Sequence, residues 1–169
     1  MRMFHTTLTT DMGDLLLLGD REQLAAIQLP GLHRVPPGTT EAAEPFEAAT
    51  FQLSEYFAGR RTHFDLPLGA PGGAFDRAVW DRVAAIPYGE TANYGQIARD
   101  VGHPDSARAV GASNGRNPLP IVIPCHRVVA SDGSLTGYAG GLGQKKALLS
   151  LEAVAGRTRC SRPGVNPWR

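Results

Sequence analysis

The feature that most constrains the fold is a run of chain-breaking residues near the middle of the chain, at positions 66–73. Its sequence, Leu-Pro-Leu-Gly-Ala-Pro-Gly-Gly, contains residues that interrupt both helices and strands. We therefore predict two small domains, residues 1–68 and 75–152, joined by a linker at residues 69–74. Residues 153–169 are predicted to form a mobile basic tail.

The two halves of the chain carry opposite net charge. Residues 1–74 contain five Lys or Arg and nine Asp or Glu, a net charge of −4, whereas residues 75–169 carry +5. A basic half is a weak indication of a polyanionic partner, because phosphate contacts supply most non-specific affinity for DNA. An ordinary solvated face is the more common explanation of such an excess.

The composition predicts a soluble globular protein located in the cytoplasm. Hydrophobic residues make up 42% of the chain, which is typical of folded domains of this size. The longest leucine run, residues 15–18, is far shorter than the roughly 20 apolar residues that a membrane span requires. The two cysteines, Cys125 and Cys160, are expected to be free thiols because a reducing compartment disfavours a disulfide.

Residues 1–68 alternate short apolar runs with turn residues, which predicts a small antiparallel sheet. The expected strands are residues 4–8, 15–18 and 25–29. Apolar residues from Phe46 to Phe57 then recur at helical spacing and predict a helix that ends at Gly59. Because this half contains no cysteine and no spacing typical of metal ligands, we expect it to be a scaffold without a metal.

The C-terminal half is predicted to consist of a series of helices. Helical spacing predicts a first helix over residues 75–86, and Pro87 follows it. Two short helices, 94–101 and 106–114, form a helix-turn-helix-like pattern with Asp105 as the expected N-cap. Such a pattern is also common in proteins that bind no DNA. A last helix is predicted over residues 144–152.

An unusual group of reactive residues follows the apolar run 121–123. The run predicts an extended buried segment, and Pro124 predicts a bend where Cys125 begins. An ordinary thiol, with a pKa of about 8.5, is only slightly ionised at neutral pH, so a nucleophilic cysteine needs a basic neighbour such as His126. A lone cysteine is more often a small core residue. The adjacent His126 and Arg127 favour catalysis, because burying two polar heads beside an inert thiol would be costly.

Residues 124–128, Pro-Cys-His-Arg-Val, resemble the acceptor motif of the O6-alkylguanine-DNA alkyltransferases. The resemblance extends from about residue 75 to residue 152. It implies an α/β fold with a ribonuclease H-like N-terminal domain and a mostly helical C-terminal domain of the winged-helix or helix-turn-helix type. Further matching motifs stand in the family's order: IPYGET at 86–91, Tyr94-Gly95, ARAVG at 107–111, Asn117-Pro118, LTGYAGG at 135–141, KKALL at 145–149, and Glu152.

The resemblance implies direct-reversal DNA repair without a cofactor. The alkyl group of O6-alkylguanine, and that of O4-alkylthymine, would pass irreversibly to Cys125 after the damaged base is flipped out of duplex DNA. Some relatives bind zinc through cysteines in the N-terminal domain, and this chain lacks them, so we predict no metal. The expected partner is double-stranded DNA with alkylated bases, bound by a monomer; cooperative binding along DNA is left open.

The resemblance also implies a role for each site residue. Glu152 would orient His126, which would draw the proton from Cys125 through a water. Tyr94 would donate a proton or hydrogen bond to the guanine ring, and Asn117 would hold the turn that carries the cysteine. Arg108 would fill the gap left by the flipped base. The other residues expected to contact DNA are Tyr94, Ala107, Ala109, Gly111 and Ser113. Val128, Tyr138, Ala139 and Gly140 would line the base pocket, and Pro124 and Arg127 would support the site.

Two other functions compete with alkyl transfer. A lesion-binding protein without chemistry would keep the scaffold but lack the acceptor, and Cys125 argues against it. A cysteine hydrolase would use His126 as its base and would leave Arg108 and Tyr94 without a purpose. Within the family pattern, Ala139 stands where some relatives carry a serine that contacts the lesion oxygen, so that hydrogen bond must come from backbone amides or be absent.

Overall fold

The computed structural model describes residues 2–156, and its N-terminal half is built on one four-stranded sheet. The strand order is β3-β2-β1-β4. The first three strands pair antiparallel as predicted, and the short fourth strand runs parallel to the first. The strands are β1 (Phe4–Thr10), β2 (Gly13–Gly19), β3 (Leu24–Gln28) and β4 (Thr40–Glu41).

The central strand β2 explains the leucine run of the sequence. Successive side chains of a strand point to opposite faces of the sheet. All four leucines at 15–18 are nevertheless buried, so both faces of this strand are covered. Leu15 and Leu17 belong to the main hydrophobic core.

Helix α1 (Glu47–Phe57) packs on this core and follows a single 3-10 turn at Glu44–Phe46. Its buried residues are Ala49, Leu53 and Tyr56, a spacing of four and three that places them on one helix face. The helix ends where predicted, because Gly59 adopts a φ of 69° that favours glycine and its amide bonds to the carbonyl of Tyr56.

Between Ala74 and Gly156 the structure has four α-helices and a two-stranded parallel ladder, formed by β5 (Ala92–Asn93) and β6 (Val128–Val129). Asn93 caps α3, accepting a hydrogen bond from the amide of Gln96. The predicted cap at Asp105 is wrong: Ser106 is the residue before α4, and no side chain caps that helix. The helices are α2 (Ala74–Ala84), α3 (Tyr94–Asp100), α4 (Ala107–Gly115) and α5 (Leu142–Gly156).

The two halves share one hydrophobic core. Leu53 of α1 and Val79 of α2 belong to the same cluster of buried side chains. The backbone also joins the halves, because the amide of Ile27 bonds to the carbonyl of Pro118 at 2.8 Å. That the two halves are separate domains joined by a linker at residues 69–74 therefore stays a prediction. Within residues 2–156, no helix is long and apolar enough to cross a membrane.

Candidate functional site

A tight turn carries Cys125. Pro124 has φ −79° and ψ 65°, and the Cys125 amide bonds back to the carbonyl of Ile123 at 2.7 Å, which is the geometry of an inverse γ-turn. A 3-10 helix, Cys125–Arg127, follows directly. The predicted bend is therefore present. The run before it is buried as expected, but the prediction that it is extended is wrong, because Ile121 adopts a left-handed φ of 76°.

Two asparagine amides hold this turn. Asn117 donates from Nδ2 to the carbonyl of Ile123 at 2.8 Å, which is the contact that its expected role requires. Asn114 donates from Nδ2 to the carbonyl of Cys125 at 3.3 Å. Asn114 was not predicted from the sequence. A signal was available, because Val110 and Asn114 are spaced four apart on the buried face of α4.

Cys125 lies at a cavity of about 590 Å³. Helix α4 forms one wall, residues 136–139 of the glycine-rich loop 135–141 form another, and the exposed Arg108 is among the lining residues. The expected residues that line it are Tyr94, Ala107, Arg108, Gly111, Asn117, Cys125, Tyr138 and Ala139, and the others are Asn114, Gly115, Pro120, Thr136 and Gly137.

Four expected contact residues lie elsewhere. Ser113 is fully buried and its carbonyl accepts a hydrogen bond from the Trp80 indole, so its side chain does not face DNA. Ala109 is exposed on α4 but does not line the cavity. Val128 is fully buried in the core, and Gly140 packs against Gln144 and Leu29, so neither forms part of the pocket wall.

The carboxylate of Glu152 is the centre of a buried hydrogen-bond cluster. It accepts from Nε2 of His126 at 2.7 Å and from two nitrogens of Arg127 at 2.9 Å. The backbone amide of Gly89 adds a bond of 3.1 Å, and the Tyr56 hydroxyl adds one of 2.7 Å. Because Arg127 supplies the opposite charge, the cluster can bury a carboxylate that is completely shielded from solvent.

Burial and hydrogen bonding set the protonation of this cluster. Burial raises the pKa of Glu152, but hydrogen bonds from His126 and Arg127, together with the charge of Arg127, outweigh it and hold that pKa well below its ordinary value. Burial lowers the pKa of His126. At neutral pH the site therefore holds a carboxylate and a neutral imidazole, which is the form of histidine that can accept a proton.

The Cys125 thiol is protonated at rest. Burial raises its pKa to about 11, and a hydrogen bond to Asn117 and the charge of Lys145 offset this only in part. The thiol alone is therefore a poor nucleophile at neutral pH. A reaction at Cys125 needs a group that removes its proton, and His126 is next to it in the chain.

Lys145 is a second site residue to which the sequence motifs assigned no role. Its ammonium group is buried and donates to the carbonyl oxygens of Val128 at 2.6 Å and Thr136 at 2.9 Å. Tyr94 donates its hydroxyl to the same Thr136 oxygen at 3.2 Å. Lys145 thus ties α5 to the wall of the cavity and places a positive charge near Cys125. The signal was its position three residues before the buried Leu148 on one helix face.

Tyr56 was missed for a different reason. It lies 96 residues before Glu152 in the chain, and nothing in its local sequence points to a distant carboxylate. Among residues 2–156, no group of three or more His, Cys, Asp or Glu is arranged to hold a metal ion. Cys160 and most of the predicted basic tail lie outside the described residues.

Two family models match the chain. The ribonuclease-like domain of 6-O-methylguanine DNA methyltransferase matches residues 3–70, and the DNA-binding domain of 6-O-methylguanine DNA methyltransferase matches residues 74–154.

Curated relatives match over nearly the whole chain. A methylated-DNA–protein-cysteine methyltransferase of Methanosarcina acetivorans is 44% identical over 153 residues, covering 89% of this chain and 98% of that protein. The constitutive protein of the same name from Bacillus subtilis is 38% identical over 166 residues, covering 90% and 96%.

Solved structures match equally well. The O6-methylguanine methyltransferase of Mycobacterium tuberculosis superposes with a TM-score of 0.85 at 41% identity, covering 90% of this chain and 94% of that chain. The crystal structure of Mycobacterium tuberculosis OGT in complex with DNA gives a TM-score of 0.86 at 41% identity, with the same coverage.

Proposed function

Because the chain belongs to the methylated-DNA–protein-cysteine methyltransferase family, we propose that Cys125 is the residue that accepts the alkyl group from damaged DNA. The predicted family and enzyme class are confirmed by the relatives, and the predicted fold class by the ribonuclease-like and DNA-binding domains. The function of this chain is thus DNA repair by alkyl transfer. The acceptor, the relay and the path of the base are proposals.

One observation carries the assignment of the acceptor. Cys125 lies at a cavity large enough for a base, and the next residue, His126, is held by a buried carboxylate at 2.7 Å. A thiol with a raised pKa needs a general base, and a neutral imidazole oriented by a carboxylate is the usual one.

The chemistry begins with a neutral thiol and a neutral imidazole. His126 takes the thiol proton at Nδ1 through a water as the sulfur electron pair attacks the alkyl carbon. The new carbon–sulfur bond replaces the carbon–oxygen bond, whose electrons pass to O6 and the ring. Tyr94 gives its hydroxyl proton to the ring, and the proton held by His126 returns to Tyr94 through solvent. The products are neutral guanine and an S-alkylcysteine, a stable thioether, so one molecule repairs one lesion.

The position of the cavity supports base flipping. In duplex DNA the O6 atom faces the major groove, whereas the small residues of α4 suit the minor groove, so the base must leave the stack to reach a cysteine inside the cavity. The small residues Ala107 and Gly111 of α4 let a DNA backbone lie close, and Arg108 projects from the same helix into solvent. In the proposal the base enters the cavity and Arg108 occupies the gap that it leaves.

The pocket also bears on the range of substrates. O4-alkylthymine presents the same kind of alkylated oxygen beside a ring nitrogen, and we include it as a substrate. Ala139 lines the cavity and has no hydroxyl to donate to the lesion oxygen. Any hydrogen bond at that point comes from a backbone amide of the glycine-rich loop.

The experiment is the mass of the intact protein after incubation with a duplex that contains O6-methylguanine, followed by peptide mapping. We expect one added methyl group per protein, on the peptide that contains Cys125. Cys160→Ser is the matched control and should accept the methyl group as the wild type does. Tight binding to the lesion without a change of mass would overturn the proposal and favour a recognition protein.

A further inference from the structure

The hydroxyl of Tyr56 lies inside the proposed relay, although Tyr56 belongs to α1 of the N-terminal half. It donates to Oε1 of Glu152 at 2.7 Å and lies 3.5 Å from Nε2 of His126. The side chain is completely buried. The sequence predicted only a scaffolding role for this half of the chain, and such a role does not require a hydroxyl at this point.

Aromatic packing fixes the direction of this hydroxyl. The Tyr56 ring lies 5.5 Å from the Phe64 ring and 6.0 Å from the Tyr88 ring, the latter edge to face. Buried aromatic pairs of this geometry are favourable in themselves. The ring is therefore held by its neighbours, and removal of the hydroxyl alone leaves the packing in place.

The groups around Nε2 of His126 determine which ring nitrogen carries the proton. Glu152 is ionised and can only accept at Oε1. The proton of the Tyr56 hydroxyl is engaged by the same Oε1, so the hydroxyl oxygen presents a lone pair to Nε2. Nε2 thus faces two acceptors and must carry the proton. Nδ1 then has the free lone pair, and it has no hydrogen-bond partner among residues 2–156.

We propose that Tyr56 is a positioning residue that fixes the Nε2–H tautomer of His126 and so keeps Nδ1 available as the base for Cys125. This inference rests on the proposed function, in which His126 takes the thiol proton. Tyr56 touches no reacting atom and acts through Glu152 and His126. Without its hydroxyl, Nε2 loses one of its two acceptors and Oε1 loses one of its three donors, so the preference for the Nε2–H tautomer weakens and the Nδ1–H tautomer becomes populated.

Tyr56→Phe tests this directly. The ¹⁵N chemical shifts of the His126 ring report which nitrogen is protonated, and they require no DNA. We expect the Nε2–H form in the wild type and a mixture of tautomers in Tyr56→Phe. The single-turnover rate of methyl transfer at saturating duplex should fall about tenfold, with the dissociation constant for DNA changed by less than about twofold.

The control is Leu53→Val, a buried residue one helical turn earlier on the same face of α1. It should lower the melting temperature while the tautomer and the transfer rate stay as in the wild type. An Nδ1–H form in the wild type, or an unchanged tautomer and rate in Tyr56→Phe, would overturn the inference. A wild type that takes no methyl group on Cys125 would instead refute the proposed function, and the ring shifts would still decide the role of Tyr56.

Discussion

Arg127 binds both oxygens of the Glu152 carboxylate: its Nε lies 2.9 Å from Oε2, and its Nη2 lies 2.9 Å from Oε1. The third nitrogen, Nη1, donates to the backbone carbonyl of Ile86 at 2.7 Å. The guanidinium therefore fixes the plane of the carboxylate and links it to the backbone of Ile86, two residues after the end of α2. This orientation is what places Oε1 against His126.

Arg127→Lys should destabilise the fold, because a lysine cannot reproduce the planar two-point contact and leaves a buried carboxylate poorly paired. We expect the free energy of unfolding to fall by about 3 kcal/mol, measured by urea denaturation. Arg116→Lys is the matched control, since Arg116 pairs with Asp76 at the surface with 56% of its side chain exposed. An equal loss in both variants would show that the buried cluster contributes no more than a surface pair.

Cys125→Ser should abolish methyl transfer, because a hydroxyl is a far weaker nucleophile than a thiol toward saturated carbon and this site provides only a neutral imidazole. Binding to duplex DNA with O6-methylguanine should be retained, because the Cys125 side chain is small and its backbone contacts are unchanged. Intact mass measures transfer, and fluorescence anisotropy measures binding. Loss of both together would mean that Cys125 has a structural role.

The raised pKa of Cys125 should make the stability of the protein depend on alkaline pH. The folded state holds the thiol proton up to about pH 11, whereas the unfolded thiol, with an ordinary pKa of about 8.5, releases it earlier. The stabilising contribution is therefore fully present below the unfolded pKa and is lost as the pH rises through the folded pKa.

Between pH 9 and pH 11, the free energy of unfolding of the wild type should fall by about 2 kcal/mol more than that of Cys125→Ser. Denaturant titrations of both proteins at each pH give this difference, and the ionisation of other groups cancels between them. Parallel pH profiles would show that the buried thiol has an ordinary pKa.

Local patterns in the sequence predicted the elements of the fold well. Short apolar runs between turn residues located β1 to β3, helical spacing located α1 and α2, and the helix-turn-helix-like pattern located α3 and α4. His126 and Arg127 could also be assigned to the site from the sequence, because they follow Cys125 directly in the chain. Ile121 could not be predicted, since a β-branched residue at a φ of 76° is disfavoured by its own side chain and is held there by its surroundings.

The rest of the site depends on contacts between distant segments. Tyr56 reaches Glu152 across 96 residues, and Lys145 reaches the carbonyl of Val128 from another element. Ser113 was misplaced because small residues occupy both faces of α4, so the pattern of that helix does not distinguish the face toward α2 from the face toward the cavity. Packing, not local propensity, decides such assignments.

Arg108→Ala should slow repair of duplex DNA more than reaction with a free alkylguanine base. The side chain of Arg108 is exposed at the cavity, where it can enter the stack in place of the extruded base and offset part of the few kcal/mol that flipping costs. A free base needs no flipping, so its reaction should be nearly unchanged. The readout is the ratio of the two second-order rate constants, compared with the ratio for the wild type.

Arg99→Ala is the control for charge alone, because it removes an exposed arginine from α3 that does not line the cavity. Loss of either cation weakens attraction to phosphates and should reduce the duplex rate in a salt-dependent way. Only Arg108→Ala should keep a lowered duplex rate at high salt, since the gap in the stack remains unfilled there. Two outcomes would contradict the prediction: Arg108→Ala repairs duplex DNA as the wild type does, or its rate matches that of Arg99→Ala at every salt concentration. Either result would show that Arg108 acts as an ordinary surface charge and does not fill the gap.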